Sequence, residues 1–126
     1  MKIARLLIVA LGLGLAGPAL ADGDPAKGKK VFRKCKACHT VGDKARNKIG
    51  PILNGIIDNE IASVEGFKYS KAFLAKKEEG FVWTVEVLDT YLAKPRKLIK
   101  GSKMSFAGLR KEKDRADVIA YLQTFE

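Results

Sequence analysis

Cysteine occurs twice in this chain and histidine once, and all three fall in the run Cys35-Lys36-Ala37-Cys38-His39. Four chemistries use thiols and an imidazole at that spacing. A structural zinc site needs four ligands, ordinarily from two separated Cys or His pairs, and the chain has no second pair. A redox dithiol belongs at a strand-to-helix junction inside a βαβ pattern, which is missing around these residues. A disulfide across two intervening residues suits an exported protein but leaves His39 without a role. Covalent haem attachment employs every one of the three: each thiol adds to one porphyrin vinyl group, and the histidine next in the chain becomes an axial ligand of the iron. The motif therefore predicts one haem c per chain, bound through Cys35, Cys38 and His39.

Iron with a single histidine has an open position, and what fills it separates electron transfer from ligand chemistry. No other histidine exists, and after residue 21 the only methionine is Met104, in the irregular run Gly101-Ser102-Lys103-Met104-Ser105-Phe106. A lone methionine is ordinarily a core gap-filler. Beside a haem with no other soft ligand it becomes the candidate sixth ligand, because a thioether tolerates both oxidation states. Histidine with methionine raises the reduction potential and closes the iron to small molecules, which favours an electron carrier over an enzyme.

The elements that must position these residues are short helices. Asp24-Pro25 reads as an N-cap followed by proline at the first helical position, so a helix runs from there toward Cys35. Ser70 caps a second over Lys71 to Lys77, and Thr84 a third through Leu88, Tyr91 and Leu92 to Lys94, where Pro95 ends or kinks it. Lys111 to Phe125 places Val118, Ile119, Leu122 and Phe125 at the spacing of an amphipathic helix. The glycine-rich segments Thr40 to Phe67 and Arg96 to Leu109 carry no sustained period and read as long loops. Loops of that length in a small domain usually wrap something. No stretch alternates as a strand would, so the expected class is all-α.

Residues 1–21 differ from the rest: Lys2 and Arg5 precede an apolar run from Leu6 to Leu15, and Ala19-Leu20-Ala21 offers small residues to a signal peptidase. The run is shorter than the roughly 20 apolar residues that span a bilayer, so a leader cleaved after Ala21 is expected in preference to an uncleaved anchor. Cleavage leaves 105 residues with a formal charge of +8, since two bases and no acids depart from a chain of net charge +10. Such a charge suits an acidic partner. Nucleic acid is disfavoured, because the basic segment Lys94 to Lys103 has neither interleaved exposed aromatics nor a recognition helix.

Beyond CKACH, the chain carries GPILNG at Gly50 to Gly55, GFKYS at Gly66 to Ser70, Trp83, YLAKP at Tyr91 to Pro95, and GSKMSFAGLRKEKDRADVIAYL ending at Leu122. In that order they resemble class I cytochrome c, in particular the mitochondrial protein and bacterial cytochrome c2, over essentially all of residues 22–126. The resemblance implies a small cytochrome c fold of short helices and long loops wrapped around one covalently bound haem. It also implies roles: thioethers from Cys35 and Cys38, axial bonds from His39 and Met104, and a Pro51 carbonyl holding the other ring nitrogen of the histidine. Tyr69 and Trp83 would donate to a haem propionate, Tyr91 would stand beside the methionine sulfur, and Phe106 would shield that side. Gly28 and Tyr121 would meet where the first and last helices cross. Read alone, Trp83, Tyr91 and Phe106 are core aromatics and Pro51 a turn residue.

Three departures from the family pattern stand out, one of them three extra residues between Tyr69 and Trp83. Asp58-Asn59-Glu60 occupies the loop where the family often has Gly-Arg near a propionate, and Phe73 stands where mitochondrial members commonly carry asparagine. The resemblance implies a soluble, monomeric periplasmic carrier. It would take an electron from a cytochrome bc1-type donor and pass it to a terminal oxidase or a photosynthetic reaction centre. Docking would use a lysine-rich haem edge that includes Lys34, Lys48, Lys97 and Lys103. Two rival functions remain open: a small peroxidase, if Met104 were displaced, and reversible gas binding. A peroxidase would want a distal histidine, and gas binding a vacant position.

Overall fold

The structure, a computed structural model, describes Gly12 and residues 23–126. The expected leader, residues 1–21, lies outside the described residues apart from Gly12. The first helix, α1, runs Pro25–Val31, and the Asp24 carboxylate accepts from the Ala26 and Lys27 amides at 2.9 and 3.4 Å. A 3₁₀ turn over Phe32–Lys34 continues it and ends on Cys35, so the attachment motif hangs directly from a helix end. Next come α2 (Lys71–Glu78) and α3 (Val85–Ala93), started by Ser70 Oγ accepting from the Phe73 amide and Thr84 Oγ1 accepting from the Val87 amide. Each hydroxyl satisfies one of the amides that a helix start leaves unpaired.

The chain departs from the sequence expectation after α3. Arg96 to Leu109 is not wholly irregular, because Pro95–Leu98 forms a one-turn helix, α4. Proline at its first position is already set at helical φ and has no amide to lose, so Pro95 both stops α3 and starts the next turn. The last helix, α5, spans Glu112–Gln123, with Glu112 and Asp114 in its first turn where the helix dipole favours negative charge.

The most extensive helix packing is that of α1 on α5. Gly28 makes it possible: a Cβ there would collide with the Asp117 carbonyl and lie 2.8 Å from Tyr121 Cβ. The crossing is tied by the Asp24 amide donating to Asp117 Oδ1 at 2.8 Å, and Phe32 packs on Tyr121 with ring centroids 5.4 Å apart. Phe32, Ile119 and Val118 are almost fully buried behind it, in a core that continues to Ile61 and Ile99.

Between Lys34 and Lys71 no helix forms, and side chains do the work that a helical ladder would otherwise do. Thr40 Oγ1 donates to the Arg46 carbonyl and accepts from its amide, closing one loop. Asn47 joins two others, accepting from the Ile52 amide and donating to the Glu65 carbonyl, both at 3.0 Å. Residues 58–61 pair with 81–83 through an isolated antiparallel bridge, Glu60 to Val82, flanked by the Asp58 amide on the Trp83 carbonyl at 2.7 Å. That bridge is the only β-pairing among the described residues. No helix among them is long and apolar enough to cross a membrane.

Candidate functional site

The helices and loops enclose one open cavity of about 690 Å³, walled largely by apolar groups. That is within the range of cofactor and ligand sites. Cys35, Cys38, His39, Pro51, Tyr69, Trp83, Tyr91, Met104 and Phe106 all line it. The attachment motif is a tight turn in which the Cys38 and His39 amides both donate to the Cys35 carbonyl, at 3.1 and 2.9 Å. Neither cysteine is in a disulfide. Burial pushes the Cys35 thiol up to about 11, with the Lys34 charge opposing.

His39 is oriented from its far side. Its Nδ1 lies 2.8 Å from the Pro51 carbonyl, an arrangement that places the ring proton on Nδ1 and leaves the Nε2 lone pair free. Burial lowers the imidazole below its ordinary range, against the Pro51 contact, so the neutral ring that binds metals is favoured. Gly50 presses on the imidazole so closely that any side chain there would strike the ring.

Across the cavity, α3 presents Tyr91, whose hydroxyl donates to Met104 Sδ at 3.1 Å. Burial pushes that phenol up to about 12. The Met104 amide donates to Ser102 Oγ at 3.1 Å, which fixes the strand of loop carrying the thioether. Tyr69 accepts the Val64 amide at its hydroxyl at 3.0 Å and so keeps its own proton for another acceptor. Trp83 is 4 % exposed and lies on the cavity wall, where its indole N–H can serve the same acceptor.

Phe73 completes an aromatic panel, its ring centroid 6.1 Å from Tyr69 and 6.3 Å from both Trp83 and Tyr91. Glu60, one of the two acids at the Asp58-Asn59-Glu60 departure from the family pattern, also lines the cavity. Lys34, Lys48 and Lys103 lie at its edge and are exposed, as is Ile49 at 78 % exposure. Lys97 sits on α4, exposed but away from the cavity lining. Sequence reasoning missed Gly50 and Asn47 as parts of the site. Gly50 stood inside the GPILNG motif and could have been found there, whereas nothing local marks Asn47.

The donor set and the wall fit a covalently held haem. Two unpaired thiols stand beside a histidine with a free Nε2, a thioether lines the same cavity, and the Tyr69 hydroxyl and Trp83 stand on its wall.

A cytochrome c family model matches residues 25–126. Cytochrome c-550 of Ancylobacter novellus is 54% identical over 101 residues, covering 80% of this chain and 94% of that protein. Cytochrome c2 of Rhodomicrobium vannielii is 42% identical over 124 residues, 98% of this chain and 97% of that one. The solved structure of cytochrome c2 from Rhodospirillum centenum superposes with a TM-score of 0.76 at 45% identity, covering 82% of this chain and 98% of the other. An all-α fold built around a haem-attachment motif defines the class, and the chain belongs to the cytochrome c family. It is an electron-transfer cytochrome carrying one covalently bound haem c, and members of the family are electron carriers rather than enzymes.

Proposed function

We propose that this protein is a monomeric periplasmic carrier that moves single electrons on a haem ligated by His39 and Met104. It would run from a cytochrome bc1-type donor to a terminal oxidase or a photosynthetic reaction centre. Residues 1–21 act as the export signal, cleaved after Ala21, and residues 22–126 form the cytochrome c domain. The observation that carries the reading is the facing pair: His39 with its Nδ1 on Pro51 at 2.8 Å, and Met104 with its sulfur under the Tyr91 hydroxyl at 3.1 Å, both on one cavity.

Bound there, the haem supplies an iron that changes oxidation state by one electron. Cys35 and Cys38 hold it by thioethers. The Pro51 carbonyl holds the ring proton on Nδ1 of His39 and so leaves Nε2 unprotonated, while burial favours the neutral imidazole. Tyr91 fixes the thioether of Met104 without competing as a ligand, its phenol staying protonated at physiological pH. Phe73, Trp83 and Phe106 keep water from the interior, which limits solvent rearrangement when charge changes. Tyr69 and Trp83 would donate to a propionate of the bound haem, since a buried carboxylate needs partners.

Docking uses the exposed edge of the cavity, where Lys34, Lys48 and Lys103 stand, with Lys97 adding to the same field. Long-range attraction to an acidic face speeds encounter up to about 10⁸ to 10⁹ M⁻¹s⁻¹ at low salt. A Debye length of about 8 Å at physiological salt keeps the complex transient. Asp58-Asn59-Glu60 stands where the family often has Gly-Arg near a propionate, so the haem's polar end would rest on Tyr69 and Trp83 without that arginine.

The test is an absorption spectrum of the exported protein in both oxidation states. A c-type spectrum with the weak far-red band of methionine bound to ferric haem, lost in Met104→Ala, supports the reading. A haem spectrum without that band points to ligand binding or peroxidase chemistry instead. Absence of covalent haem from protein made in a host competent to attach it would sink the proposal.

A further inference from the structure

Arg115, in the first turns of α5, makes three hydrogen bonds outside the cavity. Its Nε donates to Asp89 Oδ1 at 2.7 Å, and its Nη1 donates to the carbonyls of Leu109 and Arg110 at 2.9 and 3.1 Å. The pair is largely shielded, with side-chain exposures of 13% for Arg115 and 19% for Asp89. Neither residue lines the cavity.

What the pair holds is the downstream end of the loop that carries Met104. Leu109 is bound at both its polar groups: its amide donates to the Leu92 carbonyl of α3 at 2.7 Å, and its carbonyl accepts from Arg115. Gly108 passes so close to α3 that a Cβ would collide with the Ala93 carbonyl. Helix α3 thus grips Met104 twice, directly through Tyr91 and at the base of the loop through Leu92 and Asp89. From Ile99 to Arg110 the chain has no helix of its own, so the thioether is held only as firmly as these anchors hold it.

A guanidinium is a planar fork of fixed geometry, and Asp89 on one prong aims the other at the two carbonyls. Losing the carboxylate frees the fork to swing. Losing the guanidinium strands a shielded carboxylate and leaves two carbonyls without their donor, which costs more than the bonds themselves contribute.

We infer that Asp89 and Arg115 form a latch that positions Met104, setting how readily its sulfur gives up the iron. The inference rests on the His39/Met104 ligation proposed above, and it adds two positioning residues that touch neither haem nor ligand. Loosening the latch raises the population of open forms in which an external ligand can take the sixth position.

The test uses purified ferric holoprotein and cyanide, which binds only when the methionine has left. Wild type, Asp89→Asn, Arg115→Gln and Arg115→Lys are titrated with cyanide, and their far-red bands and urea midpoints are recorded. Asp117→Ala, at the α1–α5 crossing, serves as a variant that loses general stability without touching the loop. The expected result is a rise in cyanide affinity of about tenfold in Asp89→Asn and Arg115→Gln, the loss of one charge-assisted contact. Arg115→Lys, which keeps the charge but not the fork, falls between those and wild type. Asp117→Ala shifts the urea midpoint and leaves cyanide affinity unchanged.

Unchanged cyanide affinity in Asp89→Asn, with the wild-type band present, overturns the latch and leaves Met104 ligation standing. An equal rise in Asp117→Ala overturns it too, because general destabilisation would then account for the effect. A wild type without the far-red band fails at the ligation itself and takes the latch with it. Should Arg115→Gln not fold, Asp89→Asn decides alone, since it keeps shape and removes only charge.

Discussion

Gly50 lies against the His39 imidazole so closely that a Cβ at that position would stand 2.7 Å from Nδ1 and 2.8 Å from Nε2. The ring is caught between this backbone and the Pro51 carbonyl, and its aim into the cavity depends on both. Gly50→Ala is therefore expected to rotate the imidazole and weaken the Nδ1 contact while both thioethers remain. Overpacking of this kind costs roughly 1–3 kcal/mol. Urea unfolding followed at the Soret band, with the low-spin fraction measured at zero urea, checks both effects. A variant that keeps the wild-type spectrum and midpoint would show that the ring has room to move.

The Tyr91 hydroxyl donates to the sulfur of Met104, and if that sulfur is the sixth ligand as proposed, the electron density withdrawn from it destabilises the electron-poorer ferric state more than the ferrous one. Tyr91→Phe removes the donor and keeps the ring packed on Trp83, whose centroid is 4.9 Å away. The ferric state gains from a more electron-rich sulfur, so the reduction potential is expected to fall. A net hydrogen-bond contribution of about 0.5–1.4 kcal/mol corresponds to about 20–60 mV for one electron. Equilibrium redox titration measures the shift, and a rise in potential would refute the assignment of the hydroxyl as donor to sulfur.

How much of this was legible in the residues depends on how local the cause was. Asp24-Pro25, Ser70 and Thr84 announced three helix starts, because a cap satisfies amides two or three residues away and leaves its signature in one short window. The haem motif was legible for the same reason, with five consecutive residues holding its chemistry. Helix α4 was not, since one turn is too short to show a period, and Pro95 reads equally as a stop and a start. The close approach of Gly28 to Tyr121 was reached only through the family resemblance, while that of Gly50 to His39 and the Asp89–Arg115 pair, separated by 26 positions, depend on residues outside any short window. Nothing in a window around any of these residues encodes the partner. Phe73 was noticed only as a departure from a family pattern, and its place in the aromatic panel comes from the packing of α2 against α3 residues and Trp83.

Lys48 is exposed at the cavity edge beside Ile49, with its ammonium 3.4 Å from the Lys36 carbonyl. Reversing this charge should slow association with an acidic redox partner at low salt and leave the spectrum and potential unchanged. For Lys48→Glu the expected drop is about tenfold at low ionic strength, shrinking as salt screens the edge. Stopped-flow electron transfer to a negatively charged partner protein across a salt series is the measurement. A salt-independent difference would mean that Lys48 acts by contact instead of by field.

Asp117 contributes a pH-dependent part of the fold's stability. The Asp24 amide donates to its Oδ1, and Lys113 contributes an ion pair at 3.3 Å, so the carboxyl titrates below its ordinary value of 3.8 despite burial. A folded value below the unfolded one means that the charged form is favoured by folding. Its contribution is thus fully present above the unfolded value and is lost as pH falls through the lower, folded value. Asp117→Asn keeps an acceptor for the Asp24 amide but loses the charge, and is expected to cost about 1 kcal/mol at neutral pH. The difference between variant and wild type should close as pH drops below 3.8, because protonated Asp117 resembles the amide. Urea midpoints at a series of pH values decide it: a gap that persists unchanged into strong acid would show that the carboxylate's charge plays no part in holding α1 on α5.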